Sequence, residues 1–392
     1  MSILDASTLA VPARTNAVAA ERFEVLDSWR GICALLVAMF HFPAVGWLET
    51  NSFISGSFLF VDFFFVLSGF VIAHAYSERL KDGVSLKRFM VTRFGRLFPL
   101  HAFMLAAFVV FEILRLALPS VTGGGETFSG GTSISSLVSN LFLIHGLGFE
   151  TSLTWNAPSW SISTELFAYL LFGLVTVALN RVALLAFASA VVVAPLFLFA
   201  VSPDYMDATY DFGFIRCLYG FAAGVLVQAA FLQLADKPAP DMETRLTWTF
   251  AESAVVLAVG LFVATSYAGP FSISAPFVFG LAVFIFAHEA GYVSRLLRGR
   301  VFLALGALSY SIYMTHLFIQ GRMVNAGKIA EKVTGIPMLI TGGDGSPAFT
   351  EAWAMPMAGM MLAAVIAASW LTYRFVEVPS RDWFRKLARR IR

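Results

Sequence analysis

Long apolar runs dominate this sequence and leave few folds open to it. The composition agrees, since 58% of the 392 residues are hydrophobic and only 13% are charged, whereas soluble domains carry about 25% charged residues. Apolar runs of this length fold as helices in a bilayer, because their backbone polar groups must be satisfied internally. Stretches near the roughly 20 residues that a crossing needs lie at 27–45, 56–75, 97–117, 158–179, 182–201, 213–234, 248–267, 272–290, 302–321 and 352–374. The sequence therefore predicts an all-α polytopic membrane bundle of ten transmembrane helices.

A shorter apolar segment, residues 134–146, decides how the chain is threaded. If it does not cross and residues 1–21 form a flexible cytoplasmic tail, most Lys and Arg residues fall on the cytoplasmic side. The exceptions are Arg115, Arg216, Arg322, Lys328 and Lys332. If the segment crossed, the basic clusters around Arg295 and after Arg374 would face outward, against the positive-inside rule. We therefore expect a re-entrant or interfacial segment at 134–146 and cytoplasmic termini.

The first predicted helix carries two ionisable residues, Arg30 and His41. They are eleven residues apart, about three full turns, so they share a helix face and lie roughly 16 Å apart along the axis. Ionisable groups at membrane depth are costly and usually functional. By themselves they are also compatible with a snorkelling arginine and a structurally hydrogen-bonded histidine.

Two carboxylates lie inside apolar runs, Asp62 in the second span and Glu165 in the fourth. A buried carboxylate needs a cationic or hydrogen-bonding partner. His41 on the adjacent helix is a candidate partner for Asp62, for which functional and structural pairing are equally open. Tyr169, four residues after Glu165, lies on the same helix face and is expected to hydrogen-bond to it.

A basic run precedes the third span, with Lys87 and Arg88 followed by Arg93 and Arg96. Arg93 and Arg96 are three residues apart and share a face if this segment is helical. Paired guanidinium groups clamp phosphates well. An inner loop also gains basic residues for topology alone, so the run is informative mainly because it lies beside the Arg30 end of the first helix.

The ninth span contains Ser309, Tyr313 and His316 on nearly one face. Ser309 and His316 are about 10 Å apart along a helix, too far for a nucleophile–base hydrogen bond. We therefore interpret Ser309 as packing and Tyr313 and His316 as candidate substrate-lining residues. Cys33 and Cys217 both lie in apolar runs, and no Cys/His cluster has metal-ligand spacing, so no metal site is predicted.

The C-terminal segment, residues 379–392, has the pattern of a basic amphipathic helix. Its apolar side carries Trp383, Phe384, Leu387 and Ile391. Such a helix is expected to lie on the anionic inner leaflet as an anchor.

Five of these motifs, in this order, resemble the acyltransferase family 3 membrane proteins over about residues 22–380. The motifs are Arg30 to His41, Val61 to Ile72, Arg93 to Pro99, Pro158 to Glu165 and Leu305 to His316. The resemblance assigns residues 22–378 to one acyltransferase membrane domain in a bacterial inner membrane. Some members carry a C-terminal hydrolase-like domain, and this chain is expected to transfer the acyl group without one.

The resemblance implies O-acylation of surface polysaccharides, lipid-linked glycans or, in some members, antibiotics. It implies a cytoplasmic acyl-CoA donor, with acetyl the commonest group, and a saccharide or glycolipid acceptor. It also implies that Arg30 and His41 are essential and that Arg93 and Arg96 are important. We hypothesise that Arg93 and Arg96, helped by Lys87 and Arg88, hold the CoA phosphates. His41 would act as general base, with Asp62 or Glu165 orienting it.

Other classes remain open at this point. A transporter or flippase for a glycan or lipid also fits ten spans with intramembrane charges, although transporters more often show repeats and broken helices. Acylation of a non-carbohydrate small molecule is a second alternative. A structural partner in polysaccharide assembly is a third. Nothing in the sequence indicates a nucleic-acid partner.

Overall fold

The computed structural model describes residues 22–119, 126–234, 241–343 and 345–391, so the predicted tail at 1–21 lies outside the described residues. Within these ranges the chain is almost entirely helical. The helices are α1 (Glu24–Phe40), α2 (Trp47–Thr50), α3 (Ser52–Ser55), α4 (Phe60–Tyr76), α5 (Gly83–Ala117), α6 (Ile134–Leu141), α7 (Trp160–Leu179), α8 (Ala183–Val201), α9 (Gly213–Leu234), α10 (Met242–Ser266), α11 (Ala275–Ala287), α12 (Tyr292–Leu297), α13 (Arg300–Thr334), α14 (Glu351–Thr372) and α15 (Val378–Arg390). Two strands, β1 (Leu339–Thr341) and β2 (Pro347–Phe349), form an antiparallel hairpin.

The all-α membrane bundle is confirmed. In the described ranges, nine helical stretches are at least 18 residues long and apolar enough to cross a membrane. The first predicted span corresponds to α1, which has 17 residues. Segment 134–146 contains only the eight-residue helix α6, which is too short to cross a bilayer.

Several helices extend beyond the apolar runs that predicted them. The third span was expected to begin at residue 97, but α5 begins at Gly83, where the Asp82 side chain accepts a hydrogen bond from the backbone N–H of Ser85. The cap starts the helix ahead of the basic run, so this run is part of the same helix. Arg88, Arg93 and Arg96 therefore lie on a continuous helical rod.

Helices α1 and α13 pack closely against each other. A Cβ atom on Gly31 would lie 2.5 Å from the backbone of Leu305, and one on Gly306 would lie 2.4 Å from the carbonyl oxygen of Asp27. Small residues allow helix backbones to approach in membranes. The two glycines thus fix α1, which precedes His41, against α13, which carries His316.

The outer surface of the bundle is apolar. Helix α8 exposes large aliphatic side chains, among them Val192 and Leu196, and its mean hydropathy of 2.6 is the highest of the nine stretches. A helix with this surface is stable beside lipid tails. The ionisable residues discussed below lie instead toward the bundle interior.

Candidate active site

Two adjoining cavities open at the end of the bundle that holds Arg30. The outer one, here the arginine cavity, has a volume of about 640 Å³ and is lined by Tyr76, Arg79, Leu80, Ser85, Arg88, Phe89, Thr92, Arg93, Arg96, Arg381, Arg385, Ala388 and Arg389. The deeper one, here the inner cavity, has a volume of about 450 Å³, and its polar lining residues are Arg22, Asp27, Arg30, Ser68, Arg93, Arg96, Ser161, Glu165, Tyr169, Ser309, Tyr310, Tyr313 and Arg385. Arg93, Arg96 and Arg385 line both. The shared residues make the two cavities parts of one continuous site.

Arg93 and Arg96 lie at the junction between the two cavities. The guanidinium of Arg93 packs over the ring of Tyr76, 5.3 Å from its centroid, and donates a hydrogen bond of 3.2 Å to the Tyr76 hydroxyl. Its buried Nε has no hydrogen-bond partner among the described residues. Arg96 interacts electrostatically with the buried Glu377, which lies in a π-helical turn, Tyr373–Glu377. Arg93 is therefore held in place and keeps hydrogen-bonding capacity at its Nε.

Glu165 lies in the inner cavity and has two hydroxyl partners. Tyr169 donates to its Oε1 at 2.5 Å, and Ser68 donates to the same oxygen at 2.6 Å. The predicted pair of Glu165 and Tyr169 therefore forms. The Ser68 hydroxyl belongs to the same polar group, since it also lies 2.8 Å from the Tyr169 hydroxyl. Glu165 supplies negative charge beside the junction arginines, and its described hydrogen bonds go to Ser68 and Tyr169, not to His41.

Arg30 lines the inner cavity near its opening. Its Nη1 lies 3.6 Å from a carboxylate oxygen of Asp27, which also accepts a hydrogen bond of 2.9 Å from Arg22. Asp27 is one turn before Arg30 on α1, so the pair follows from helix geometry. The two arginines leave the opening of the inner cavity with net positive charge.

Tyr313 and Phe64 both line the inner cavity, and their ring centroids lie 5.8 Å apart. The Tyr313 hydroxyl donates to the carbonyl oxygen of Pro158 at 3.0 Å and lies 2.8 Å from the Ser161 hydroxyl. Next along α13 is His316, whose ring centroid is 6.0 Å from that of Tyr313. Tyr313 therefore lines the cavity, whereas His316, which was also predicted to be a lining residue, is not among the described lining residues of either cavity.

His41 contacts His316, and their ring centroids are 5.1 Å apart. The Nδ1 atom of His41 lies 2.9 Å from the carbonyl oxygen of Val37, and that of His316 lies 3.2 Å from the carbonyl oxygen of Ile312. A carbonyl oxygen only accepts, so Nδ1 carries the proton in each neutral ring and Nε2 has a free lone pair. His41 is thereby held in the tautomer that a general base acting through Nε2 requires.

The expected partnership of Asp62 with His41 is wrong. Asp62 forms a buried bidentate ion pair with Arg216 of α9, with distances of 2.9 Å to Nε and 2.8 Å to Nη2. The Asp62 and Arg216 side chains are 0% and 1% exposed. The threading of ten spans with cytoplasmic termini had placed Arg216 on the outer side of the membrane. The pairing follows from how α4 packs against α9, which no local sequence pattern reveals.

Lys87 and Arg88 differ from the other members of the basic run. Lys87 is exposed and lines neither cavity. Arg88 lines the arginine cavity but directs its Nε and Nη2 to the carbonyl oxygen of Ile391, at 3.1 and 2.8 Å. Arg88 therefore holds the end of the C-terminal helix.

The sequence did not reveal that α15 contributes to the site. This helix was predicted to be an anchor on the membrane surface, and Trp383 on its outer side is indeed exposed. Its opposite side, however, packs on α5 and places Arg381, Arg385 and Arg389 in the arginine cavity. The spacing of four residues between these arginines was the available signal, because it puts them on one helix face.

No group of three or more His, Cys, Asp or Glu residues in the described ranges could hold a metal ion.

The sequence model of the family described as "Acyltransferase domain" matches residues 23–374. The chain belongs to the acyltransferase 3 family. It is an acyltransferase, and the five motifs identified it correctly.

Relatives of this acyltransferase include a protein named "Protein 2 in picA locus" from Rhizobium radiobacter, 34% identical over 37% of this chain and 78% of the relative. "Acyltransferase MdmB" from Streptomyces mycarofaciens is 27% identical over 81% of this chain and 79% of the relative. YrhL from Bacillus subtilis, provisionally named a peptidoglycan O-acetyltransferase, is 25% identical over 93% of this chain and 56% of the relative. No solved structure matches the chain significantly.

Proposed function

We propose that this chain is an O-acyltransferase that moves an acyl group, acetyl in the simplest case, from acyl-CoA to a hydroxyl group of a cell-surface or lipid-linked saccharide. The acyl-CoA enters from the cytoplasm, and the acceptor binds at the opposite face of a bacterial inner membrane. Both termini are cytoplasmic. The provisional name of the Bacillus subtilis relative supports a saccharide acceptor.

The donor site rests on the two cavities. CoA is a long molecule with a phosphate-rich nucleotide at one end and a thioester at the other. The arginine cavity suits the nucleotide, because guanidinium groups bind phosphates in bidentate fashion. The inner cavity suits the pantetheine arm, which would pass Arg30 and Glu165 and direct the thioester toward Tyr313.

His41 is the general base in this proposal. Its Nε2 accepts the proton of the acceptor hydroxyl as the oxygen attacks the thioester carbonyl carbon. The carbon–sulfur bond then breaks, the acyl group stays on the acceptor as an ester, and the departing CoA thiolate takes the proton from the imidazolium. The single observation that carries this role is the hydrogen bond from Nδ1 to Val37, which leaves Nε2 unprotonated.

The test is mass spectrometry of ester groups on the surface glycan of three strains: wild type, gene deletion and His41→Ala. We expect ester loss in the deletion strain and a drop of at least about a hundredfold in the His41→Ala strain, the contribution typical of a general base. A His288→Ala strain is the control, because His288 makes the same contact, to the carbonyl oxygen of Phe284 at 2.9 Å, but packs on Trp248.

Full esterification in the His41→Ala strain would end the proposal for His41. If the deletion strain keeps its glycan esters, the acceptor is a different molecule, and soluble small-molecule acceptors become the alternative.

The donor site is tested separately by acetyl-CoA binding. Arg93→Ala/Arg96→Ala protein should bind acetyl-CoA more weakly than wild type, and Arg390→Ala, an exposed arginine outside both cavities, should not.

A further inference from the structure

The C-terminal helix α15 forms one wall of the arginine cavity. It contributes three arginines at positions 381, 385 and 389, while α5 forms the facing wall. Arg79, beyond the end of α4, lies beside them. No carboxylate is among the cavity's described lining residues. A cavity with this charge is suited to a ligand that carries several negative charges.

Three contacts hold α15 in this position. The Phe384 ring packs so closely on α5 that a Cβ atom on Gly95 would lie 2.2 Å from it. The same ring lies 5.9 Å from that of Phe94. At the end of the helix, Arg88 donates two hydrogen bonds to the carbonyl oxygen of Ile391. The arginines of α15 are therefore presented by a docked helix and not by a loose tail.

The arginines are distributed unevenly between the two cavities, so the two parts of the site differ in charge. Arg385, with Arg93 and Arg96, lines both cavities and thus lies at their junction. Arg381 and Arg389 line only the arginine cavity and lie one helical turn to either side of Arg385. A ligand that spans both cavities would meet these two residues with the part that lies in the arginine cavity.

We propose that Arg381 and Arg389 of α15 recognise the 3′-phosphate on the ribose of the donor nucleotide. The inference rests on the proposed acyl-CoA donor. With the thioester in the inner cavity, the diphosphate lies at the junction and the adenosine lies in the arginine cavity. The charged group of CoA that remains is the 3′-phosphate. It is a phosphate monoester, which carries between one and two negative charges at neutral pH and suits bidentate binding by arginine.

An anionic lipid headgroup is the other source of a phosphate monoester or diester at this site. Helix α15 has exposed Trp383 and Leu387 on its outer side, so it is also in reach of a membrane surface. The two possible ligands, a nucleotide and a lipid, lead to different experimental outcomes. Recognition of the ribose phosphate makes the arginines discriminate between two soluble nucleotides, whereas lipid binding makes them respond to membrane composition.

The experiment compares the affinities of CoA and of CoA lacking the 3′-phosphate for the full chain in neutral phosphatidylcholine nanodiscs. We expect wild type to prefer CoA by about tenfold or more, which corresponds to about 1.4 kcal/mol, because charge-assisted hydrogen bonds to phosphate are among the stronger ones. Arg389→Ala and Arg381→Ala should each weaken CoA binding while leaving the affinity of the dephosphorylated form unchanged. Arg390→Ala is the matched control, an exposed neighbour that lines neither cavity.

Three results would overturn the inference. The first is equal binding of both nucleotides by wild type. The second is an affinity ratio that survives in Arg389→Ala and Arg381→Ala. The third is a change only in binding to vesicles that contain anionic phosphatidylglycerol, which identifies a lipid site. Because Arg389 is exposed, Arg389→Gln keeps the comparison meaningful if Arg381→Ala fails to fold.

If wild type binds no CoA at all, the proposed donor fails together with the inference. If wild type binds CoA but the α15 variants do not alter the ratio, only the inference fails.

Discussion

The imidazole rings of His41 and His316 lie with their centroids 5.1 Å apart, each with Nδ1 directed to the carbonyl oxygen four residues earlier. His316 is fully buried, and its Nε2 has no hydrogen-bond partner among the described residues. A buried polar atom without a partner is costly. The contact makes His316, and neither Asp62 nor Glu165, the titratable neighbour of His41.

We predict that His316→Gln lowers kcat for acyl transfer by about tenfold or more while the KM for acyl-CoA stays unchanged. His316 acts as a positioning residue, because its ring limits the orientations of His41, and misplacing a general base slows proton transfer. The pH–rate profile should also shift, since a neighbouring imidazole affects the charged form of His41. His288→Gln is the control. An unchanged kcat and pH profile in His316→Gln would show that the ring only fills space.

We predict that Asp62→Ala destabilises the protein strongly. The substitution leaves Arg216 buried without its counter-ion, which costs about 3–5 kcal/mol. The measurement is thermal unfolding of the detergent-solubilised chain, with Asp62→Leu/Arg216→Met expected to recover much of the loss. Asp382→Asn is the control. Its carboxylate is 52% exposed and lies 3.7 Å from Arg385, and removing such a surface pair costs about 1 kcal/mol or less. Normal stability of Asp62→Ala with complete loss of transfer would restore a chemical role for Asp62.

We predict that the first turn of α5 frays in acid. The hydrogen bonds from the backbone N–H and hydroxyl of Ser85 hold the pKa of the exposed Asp82 carboxyl below its usual value. A depressed carboxyl pKa means that the cap stabilises the helix fully above the unfolded pKa, about 3.9. The stabilisation is lost as the pH falls through the lower, folded pKa. Amide exchange at residues 83–86, corrected for the intrinsic rate, should therefore accelerate below about pH 4.

Two variants separate the cap from other effects of acid. Asp82→Ala should show fast exchange of residues 83–86 at every pH, because the acceptor is gone. Asp82→Asn should keep the cap and lose its pH dependence, since asparagine caps helices well without titrating. Slow exchange in Asp82→Ala would mean that packing of α5 against α7 and α15, and not the cap, holds this turn.

The spans and the local polar pairs followed from the sequence, and the contacts between helices did not. Apolar runs of about 20 residues allow one backbone structure in a bilayer, so α7 and α9 were predicted almost to the residue. Glu165 and Tyr169 are four residues apart, so their hydrogen bond follows from helix geometry. The pairing of Asp62 with Arg216, which are 154 residues apart, depends on which helices pack together. The docking of α15 depends likewise on the fit of Phe384 against Gly95.

The position of Tyr313 has a consequence for access to the two histidines. Its ring lines the inner cavity, is held by Pro158 and Ser161, and lies 6.0 Å from the ring of His316. Neither His41 nor His316 is among the cavity's described lining residues. In the proposed reaction, the ring of Tyr313 therefore stands between the donor cavity and the base and would act as its gate.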